Sequence, residues 1–196
     1  MKADRYSVLD LIRGLAIISM VLYHTVWDVV YIFDSNLRWF KGDLGYLWQQ
    51  SIGITFIFLA GFCFSLSSRK IKRGIFLSLC GGIITAVTLI FMPENRIIFG
   101  VLTFIGAAIL LQRALEPLLK KVNSILGFTL SLVLFVVFKN LRDGLILTFP
   151  APKFLYKNYF TAFLGFPPRS FWSNDYYGIF PWFFLFLCGY FVYNLF

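Results

Sequence analysis

Four ionisable residues lie within an apolar stretch near the N-terminus: Asp10, Arg13, His24 and Asp28. On a helix with about 100° and 1.5 Å per residue, Arg13 and His24 fall roughly 20° apart around the axis and about 16 Å apart along it. Asp28 lies roughly 40° from His24 and one turn further on, while Asp10 lies roughly 60° from Arg13 at the other end. The four side chains therefore share one stripe. An imidazole followed by a carboxylate four residues later is also the arrangement of an oriented general base.

The surroundings of this stripe decide what it can do. An ionisable group that faces lipid costs about 2.5–3.5 kcal/mol at the helix centre, so we expect the stripe to face protein or a water-filled cavity. The alternative places Asp10 and Arg13 at one membrane boundary, where they pair with each other or with headgroups. His24 and Asp28 then reach the opposite boundary. The first interpretation makes the stripe a functional site, and the second makes it a set of boundary residues.

The composition of the chain is that of a membrane protein. Hydrophobic residues make up 59% of its 196 residues, above the usual share of about 45–50%. The net charge is +9, but the basic residues lie between apolar stretches, so membrane topology explains them better than nucleic-acid binding does. The three cysteines lack ligand spacing and the chain has a single histidine, so we expect no metal site.

Apolar stretches of spanning length recur along the whole chain, so we expect an all-α, polytopic helical bundle with at least six transmembrane helices. The predicted spans are 8–31, 51–66, 74–92, 97–111, 122–138 and 180–196. We expect a single membrane domain over residues 1–196. Because the last predicted span ends without a basic flank, we expect the natural protein to extend beyond Phe196.

The short loop 67–74 is strongly basic. Together with the N-terminal end of the chain as far as Arg13 and the loop 112–123, it carries ten of the 18 lysines and arginines. Short basic loops lie on the cytoplasmic side of a membrane. We therefore expect a cytoplasmic N-terminus, with Arg13 near the cytoplasm and His24 toward the outer leaflet.

The segment 139–179 is rich in proline and aromatic residues and is predicted to be the least regular part of the chain. A loop of this length is commonly a lid or a binding surface, and the predicted topology places it on the same side as His24. Its aromatic residues and those that follow, including Tyr176 and Trp182, have two explanations. They could stack against sugar faces, or they could form an interfacial belt, which is the commoner outcome.

Four stretches of sequence form an ordered set that extends from the first predicted span to the last. They are RYSVLDLIRGLAIISMVLYH at 5–24, FIFLAGFCFSL at 56–66, FGVLTFIGAAILL at 99–111 and SNDYYGIFPWFFLFLCGYF at 173–191. In this order they resemble the heparan-alpha-glucosaminide N-acetyltransferase catalytic-domain family in its short bacterial form. The separation of Arg13 and His24 also resembles the first span of the acyltransferase-3 family, a related group of membrane acyltransferases.

The resemblance implies a transmembrane acyltransferase in the plasma (inner) membrane of a bacterium. Its donor would be acetyl-CoA or another acyl-CoA on the cytoplasmic side, and its acceptor a glycan or amino sugar on the extracytoplasmic side. Carried onto this sequence, Asp10 and Arg13 would belong to the donor end of the motif. His24, with Asp28, would be the catalytic base or acyl carrier. Asp175, Tyr176 and Trp182 would bind the acceptor, although Asp175 could instead cap the helix that begins near Pro181.

The chain differs from the family pattern at two places. Many relatives have histidine where this chain has Thr103, and the larger animal-type members place an acyl-accepting histidine in the loop after the first span. This chain has no histidine there, so only His24 can supply an imidazole.

Two other classes of function also fit the stripe. A small proton-coupled transporter or flippase would use it as a pathway, and a non-catalytic membrane partner protein would hold His24 against Asp28 for packing alone. The chain shows no repeat of two similar halves, which favours the enzyme. We expect membrane lipid and a small-molecule or glycan acceptor as partners, and no nucleic acid. A homo-oligomer is compatible with the sequence, since small residues pack equally well within and between chains.

Overall fold

Eight α-helices follow one another along residues 7–195, the part of the chain that the computed structural model describes. They are α1 (Ser7–Tyr31), α2 (Arg38–Lys41), α3 (Asp43–Phe62), α4 (Lys70–Phe91), α5 (Val101–Leu119), α6 (Ser124–Phe138), α7 (Tyr159–Leu164) and α8 (Ile179–Tyr193). A short antiparallel ladder pairs β1 (Leu145–Ile146) with β2 (Phe149–Pro150). The expected all-α class is confirmed. The described residues form two units, 7–59 and 60–195.

Four helices within residues 7–195 are long and apolar enough to cross a membrane, where the sequence predicts at least six. They cover Val8–Tyr31, Lys70–Phe91, Val101–Leu119 and Ser124–Asp143. The helix α3 has 20 residues, but polar residues in its first half lower its hydropathy. The helix α8 is apolar but has only 15 residues. The backbone at Phe180 is not helical, so its regular turns begin at Pro181 and are shorter still.

In the first unit, α1 packs on α3 as an antiparallel partner. The indole Nε1 of Trp48 donates a hydrogen bond to Ser19 Oγ over 2.8 Å. The ring of Tyr23 contacts the rings of Phe40 and Trp48, with centroids 5.1 Å and 5.4 Å apart. A Cβ on Gly45 would overlap the carbonyl oxygen of Phe40, so only glycine lets α3 begin this close to α2. These contacts fix the half of α1 that carries His24.

In the second unit, small residues bring α4 and α5 together. A Cβ on Gly81 would overlap Thr103, and a Cβ on Gly106 would overlap Ser78. Because later residues of α4 face earlier residues of α5, the two helices are antiparallel. Such close approach of small residues is how membrane helices associate, since lipid provides no hydrophobic drive between them.

A second antiparallel pair joins α6 to α8. A Cβ on Gly127 would overlap the ring of Phe191, and the rings of Phe135 and Trp182 lie 5.6 Å apart. The helix α8 also forms the core of this unit, where Phe186 is fully buried. The segment that precedes α8 lies beside the end of the loop between α4 and α5.

These two segments, residues 94–101 and 172–177, form the paired loops. Their backbones are joined by hydrogen bonds from Asn174 N to Arg96 O at 3.1 Å and from Tyr177 N to Phe99 O at 2.9 Å. Phe99 holds a positive φ of 57°, a conformation that a phenylalanine adopts only when its surroundings impose it. The paired loops therefore form a fixed element that connects the start of α5 to the approach to α8.

The region 139–171 has more local order than the sequence predicts. The ladder of β1 and β2 lies within it, and α7 begins with a capping box in which Asn158 Oδ1 accepts from Thr161 N over 3.0 Å. The phenol of Tyr156 donates to the carbonyl of Leu141 over 2.8 Å. The segment is irregular, as predicted, but its turns are held by side-chain hydrogen bonds.

Candidate functional site

The stripe predicted on α1 lies about 100° around the helix from the face that packs on α3, which carries Ala16 and Ser19. At one end of the stripe, Arg13 Nη1 donates to Asp10 Oδ1 over 3.3 Å. The two side chains are 40% and 47% exposed. This is the pairing that the boundary interpretation expects, and it leaves most of the guanidinium donors of Arg13 available.

At the other end of the stripe, the side chains of His24 and Asp28 are both exposed. The imidazole of His24 lies edge-on to the ring of Tyr23, with centroids 5.9 Å apart and an interplanar angle of 81°. Within residues 7–195, the structure shows no hydrogen bond between His24 and Asp28. The two residues share a face one helical turn apart, as predicted, but the oriented pair is not formed.

A shallow groove of about 220 Å³ lies between α1 and α3. It is lined by Ile12, Leu15, Ala16, Ser19, Ser51, Ile52 and Thr55. The hydroxyls of Ser51 and Thr55 bond to backbone carbonyls of their own helix, at 2.7 Å each. The groove therefore offers apolar surface, and it lies on the α3 side of α1, away from the stripe that carries His24.

Asp175 stands at the centre of the paired loops. Its Oδ2 accepts a hydrogen bond from Val101 N over 3.0 Å, at the first residue of α5. Beside it, Ser173 Oγ accepts from Ile98 N over 2.9 Å and donates to the carbonyl of Asp175 over 2.7 Å. A carboxylate at a helix N-terminus satisfies an amide without a helical partner and interacts favourably with the helix dipole. Asp175 thus caps α5.

Tyr176 and Trp182, the other predicted acceptor residues, are packed against protein. The phenol of Tyr176 donates to the carbonyl of Ala162 over 2.6 Å, and the residue is 8% exposed. Burial raises the pKa of this phenol well above its usual range, and the nearby charge of Arg142 opposes the shift only in part. Trp182 is half-buried between Phe135 and Tyr177. Both residues support the structure that carries Asp175.

A buried carboxylate that the sequence reasoning missed lies near the end of α5. Glu116 has a side chain that is 7% exposed and contacts Lys70, Arg113 and Lys120. A signal was present in the sequence, because basic residues three before and four after a glutamate lie on its face of a helix. The contact of Lys70, from the start of α4, depends on the antiparallel packing and could not be read from spacing.

No group of three or more His, Cys, Asp or Glu side chains in the described part of the chain could hold a metal ion. The ionisable side chains discussed above belong to three sets that share no residue. They are the stripe on α1, the paired loops around Asp175 and the basic cluster around Glu116.

Helices of spanning length in both units make the chain a multi-pass membrane protein. The family described as "Heparan-alpha-glucosaminide N-acetyltransferase, catalytic" matches residues 5–196, and the chain belongs to this family. Its enzymes are N-acetyltransferases that use acetyl-CoA as the donor. The resemblance stated from four stretches of sequence is thereby confirmed. No curated protein and no solved structure matches the chain.

Proposed function

We propose that this protein transfers an acyl group, typically acetyl, from cytoplasmic acyl-CoA to a glycan or amino-sugar acceptor on the extracytoplasmic side of a bacterial inner membrane. Membership of the acetyltransferase family supports the reaction type. The basic loops at 67–74 and 112–123 support a cytoplasmic N-terminus. In this proposal α3 and α8 are the fifth and sixth spans. The 20 residues of α3 extend about 30 Å, the thickness of the hydrocarbon layer, and the 15 residues of α8 extend about 22 Å, so the segment before α8 completes that crossing.

The observation that carries the catalytic proposal is the position of the single histidine. His24 lies on the same stripe of α1 as Arg13, about 16 Å further along the helix, and its side chain is exposed. An amine or hydroxyl acceptor loses a proton as it attacks the thioester carbon and coenzyme A leaves as the thiolate. An imidazole is suited to accept that proton near neutral pH.

The other residues of the stripe have supporting roles in this proposal. Arg13 retains guanidinium donors beyond its one bond to Asp10, and these could bind an anionic group of the donor. Asp28 lies one turn from His24, where its carboxylate would favour the imidazolium that forms during the reaction. The acceptor residues Asp175, Tyr176 and Trp182 stay predictions, and their structural contacts provide the alternative explanation for each.

The test is acyl transfer by the protein in proteoliposomes supplied with labelled acetyl-CoA and a panel of amino-sugar and glycan acceptors. The variant His24→Ala should lose transfer by about 10²–10⁴-fold, the usual contribution of a general base. Thr25→Ala is the matched control, because the hydroxyl of Thr25 bonds only to the carbonyl of Val21 in its own helix, at 2.9 Å. Full activity in His24→Ala would remove His24 from the mechanism.

A further inference from the structure

A cluster of basic side chains surrounds one buried carboxylate where α4 begins and α5 ends. Glu116 accepts hydrogen bonds from Lys70 Nζ at 2.9 Å and from Arg113 Nη1 at 2.7 Å. The ammonium of Lys120 lies 3.1 Å from the same carboxylate. One negative charge thus holds three cations from two helices in fixed positions.

The cluster carries a large excess of positive charge. The residues 69–73 and 113–121 contain seven lysines and arginines, and Glu116 is their one acidic residue. Their net charge of +6 is two thirds of the +9 of the whole chain. Internal pairing therefore leaves most of this charge without a counter-ion from these two segments.

The cations also keep hydrogen-bonding capacity. A guanidinium has five N–H donors and an ammonium has three, whereas Glu116 has only two carboxylate oxygens. The side chains of Arg113 and Lys120 are 49% and 66% exposed. Because Glu116 already restrains them, binding an anion there requires less loss of side-chain entropy than binding to free surface residues. Phosphate oxygens are strong acceptors for such donors.

The two helices that carry the cluster also have exposed apolar residues near the same ends. Ile71, Ile75 and Phe76 on α4 are 52%, 47% and 64% exposed, and Leu118 on α5 is 63% exposed. Both helices are candidate membrane spans, so the cluster lies where a span meets the headgroup region. Basic groups at this depth bind anionic lipid headgroups. Leu118 lies about 140–160° around α5 from Arg113 and Lys120, so these apolar residues contact the surrounding bilayer and are not part of the headgroup site.

We propose that Arg113 and Lys120, held by Glu116, bind the phosphate of an anionic phospholipid in the leaflet that meets this end of α4 and α5. This site shares no residue with the stripe on α1, and the proposal does not depend on the catalytic role of His24.

The experiment uses the full chain in phosphatidylcholine nanodiscs that contain a small fraction of spin-labelled phosphatidylglycerol. The motionally restricted part of the spectrum measures bound lipid. Because each basic residue near an anionic lipid contributes roughly a fivefold gain in affinity, R113Q/K120Q should bind phosphatidylglycerol roughly 25-fold more weakly. The matched control is K139Q/R169Q, which removes one lysine and one arginine that are exposed elsewhere in the same unit. The control should bind as the parent does.

A third variant separates organisation from net charge. Glu116→Gln makes the cluster more positive but removes the group that positions it, so binding should become weaker. Three results would overturn the proposal. Glu116→Gln could bind phosphatidylglycerol more strongly than the parent does, R113Q/K120Q could bind it as well as the parent, or K139Q/R169Q could lose as much binding as R113Q/K120Q. Displacement of the labelled lipid by inorganic phosphate would show that the site binds soluble phosphate and would overturn it as well. A melting curve for each variant verifies that it is folded.

Discussion

Replacement of Asp175 separates the two roles that the sequence leaves open for it. If this residue caps α5, its loss acts on stability. If it binds the acceptor, its loss acts on the Michaelis constant of that substrate. The variants Asp175→Ala and Asp175→Asn distinguish the cases, because asparagine keeps an oxygen acceptor for Val101 N but removes the charge.

The structure sets the size of the effect. Asp175→Ala removes a hydrogen bond between a carboxylate and the partly buried Val101 N, for which we expect about 2–3 kcal/mol. Asp175→Asn keeps an oxygen acceptor there and removes the interaction of the charge with the helix dipole, about 0.3–1 kcal/mol. For a chain of this length, each 1 kcal/mol lowers the melting temperature by about 2–4 °C. The alanine variant should therefore melt at least twice as far below the parent as the asparagine variant does.

The measurement is a thermal melt of the purified protein in detergent, paired with acyl-transfer kinetics well below the melting temperature. Ser173→Ala is the reference for a structural change, because it removes the bonds to Ile98 N and to the carbonyl of Asp175 without removing a charge. The capping role expects lower melting temperatures in all three variants and an unchanged Michaelis constant for the acceptor. An unchanged melting temperature together with a raised Michaelis constant in Asp175→Asn would refute the reasoning.

Two further predictions concern the second unit. Gly81→Ala should lower the melting temperature, because its Cβ would overlap Thr103 and such overpacking costs about 1–3 kcal/mol. The control is Gly82→Ala, whose Cβ meets nothing within 4 Å and which should be neutral or stabilising. Equal effects of the two substitutions on the melting temperature would show that packing is not the cause. Tyr176→Phe should cost about 1 kcal/mol through loss of the bond to Ala162 O. Because the folded pKa of Tyr176 is raised, the stability that depends on it should be complete below pH 10 and should fall above that, where the unfolded phenol ionises. A parent and a Tyr176→Phe variant whose stabilities fall in parallel above pH 10 would contradict this.

Apolar periodicity located the long helices but not their relations. The first span and the fifth were predicted within a few residues of α1 and α6, because long apolar runs leave few alternatives. The second was predicted to begin at residue 51, whereas α3 begins at Asp43. Its first two turns contain polar and aromatic residues that belong at an interface, and helix propensity together with packing on α1 overrides that composition.

Side-chain roles that depend on distant contacts could not be derived from spacing. Asp175 precedes α8 in sequence, so capping of that helix was the local expectation, but its partner Val101 is 74 residues away in the chain. Lys70 was interpreted as part of a basic loop, whereas it meets Glu116 from the adjacent helix. By contrast, the pairing of Asp10 with Arg13 is an interaction within one helix, and its three-residue spacing made it predictable.

The contacts along α1 also explain how an exposed stripe can carry four ionisable groups on an apolar helix. At one end, Asp10 and Arg13 neutralise each other, so their charges do not face apolar surroundings singly. At the other end, Asp28 lies one turn from Tyr31, where the helix ends, and a carboxylate there can reach the boundary with water. His24 lies between these ends, edge-on to the ring of Tyr23, and the proposed catalytic role accounts for an ionisable residue at this position on an apolar helix.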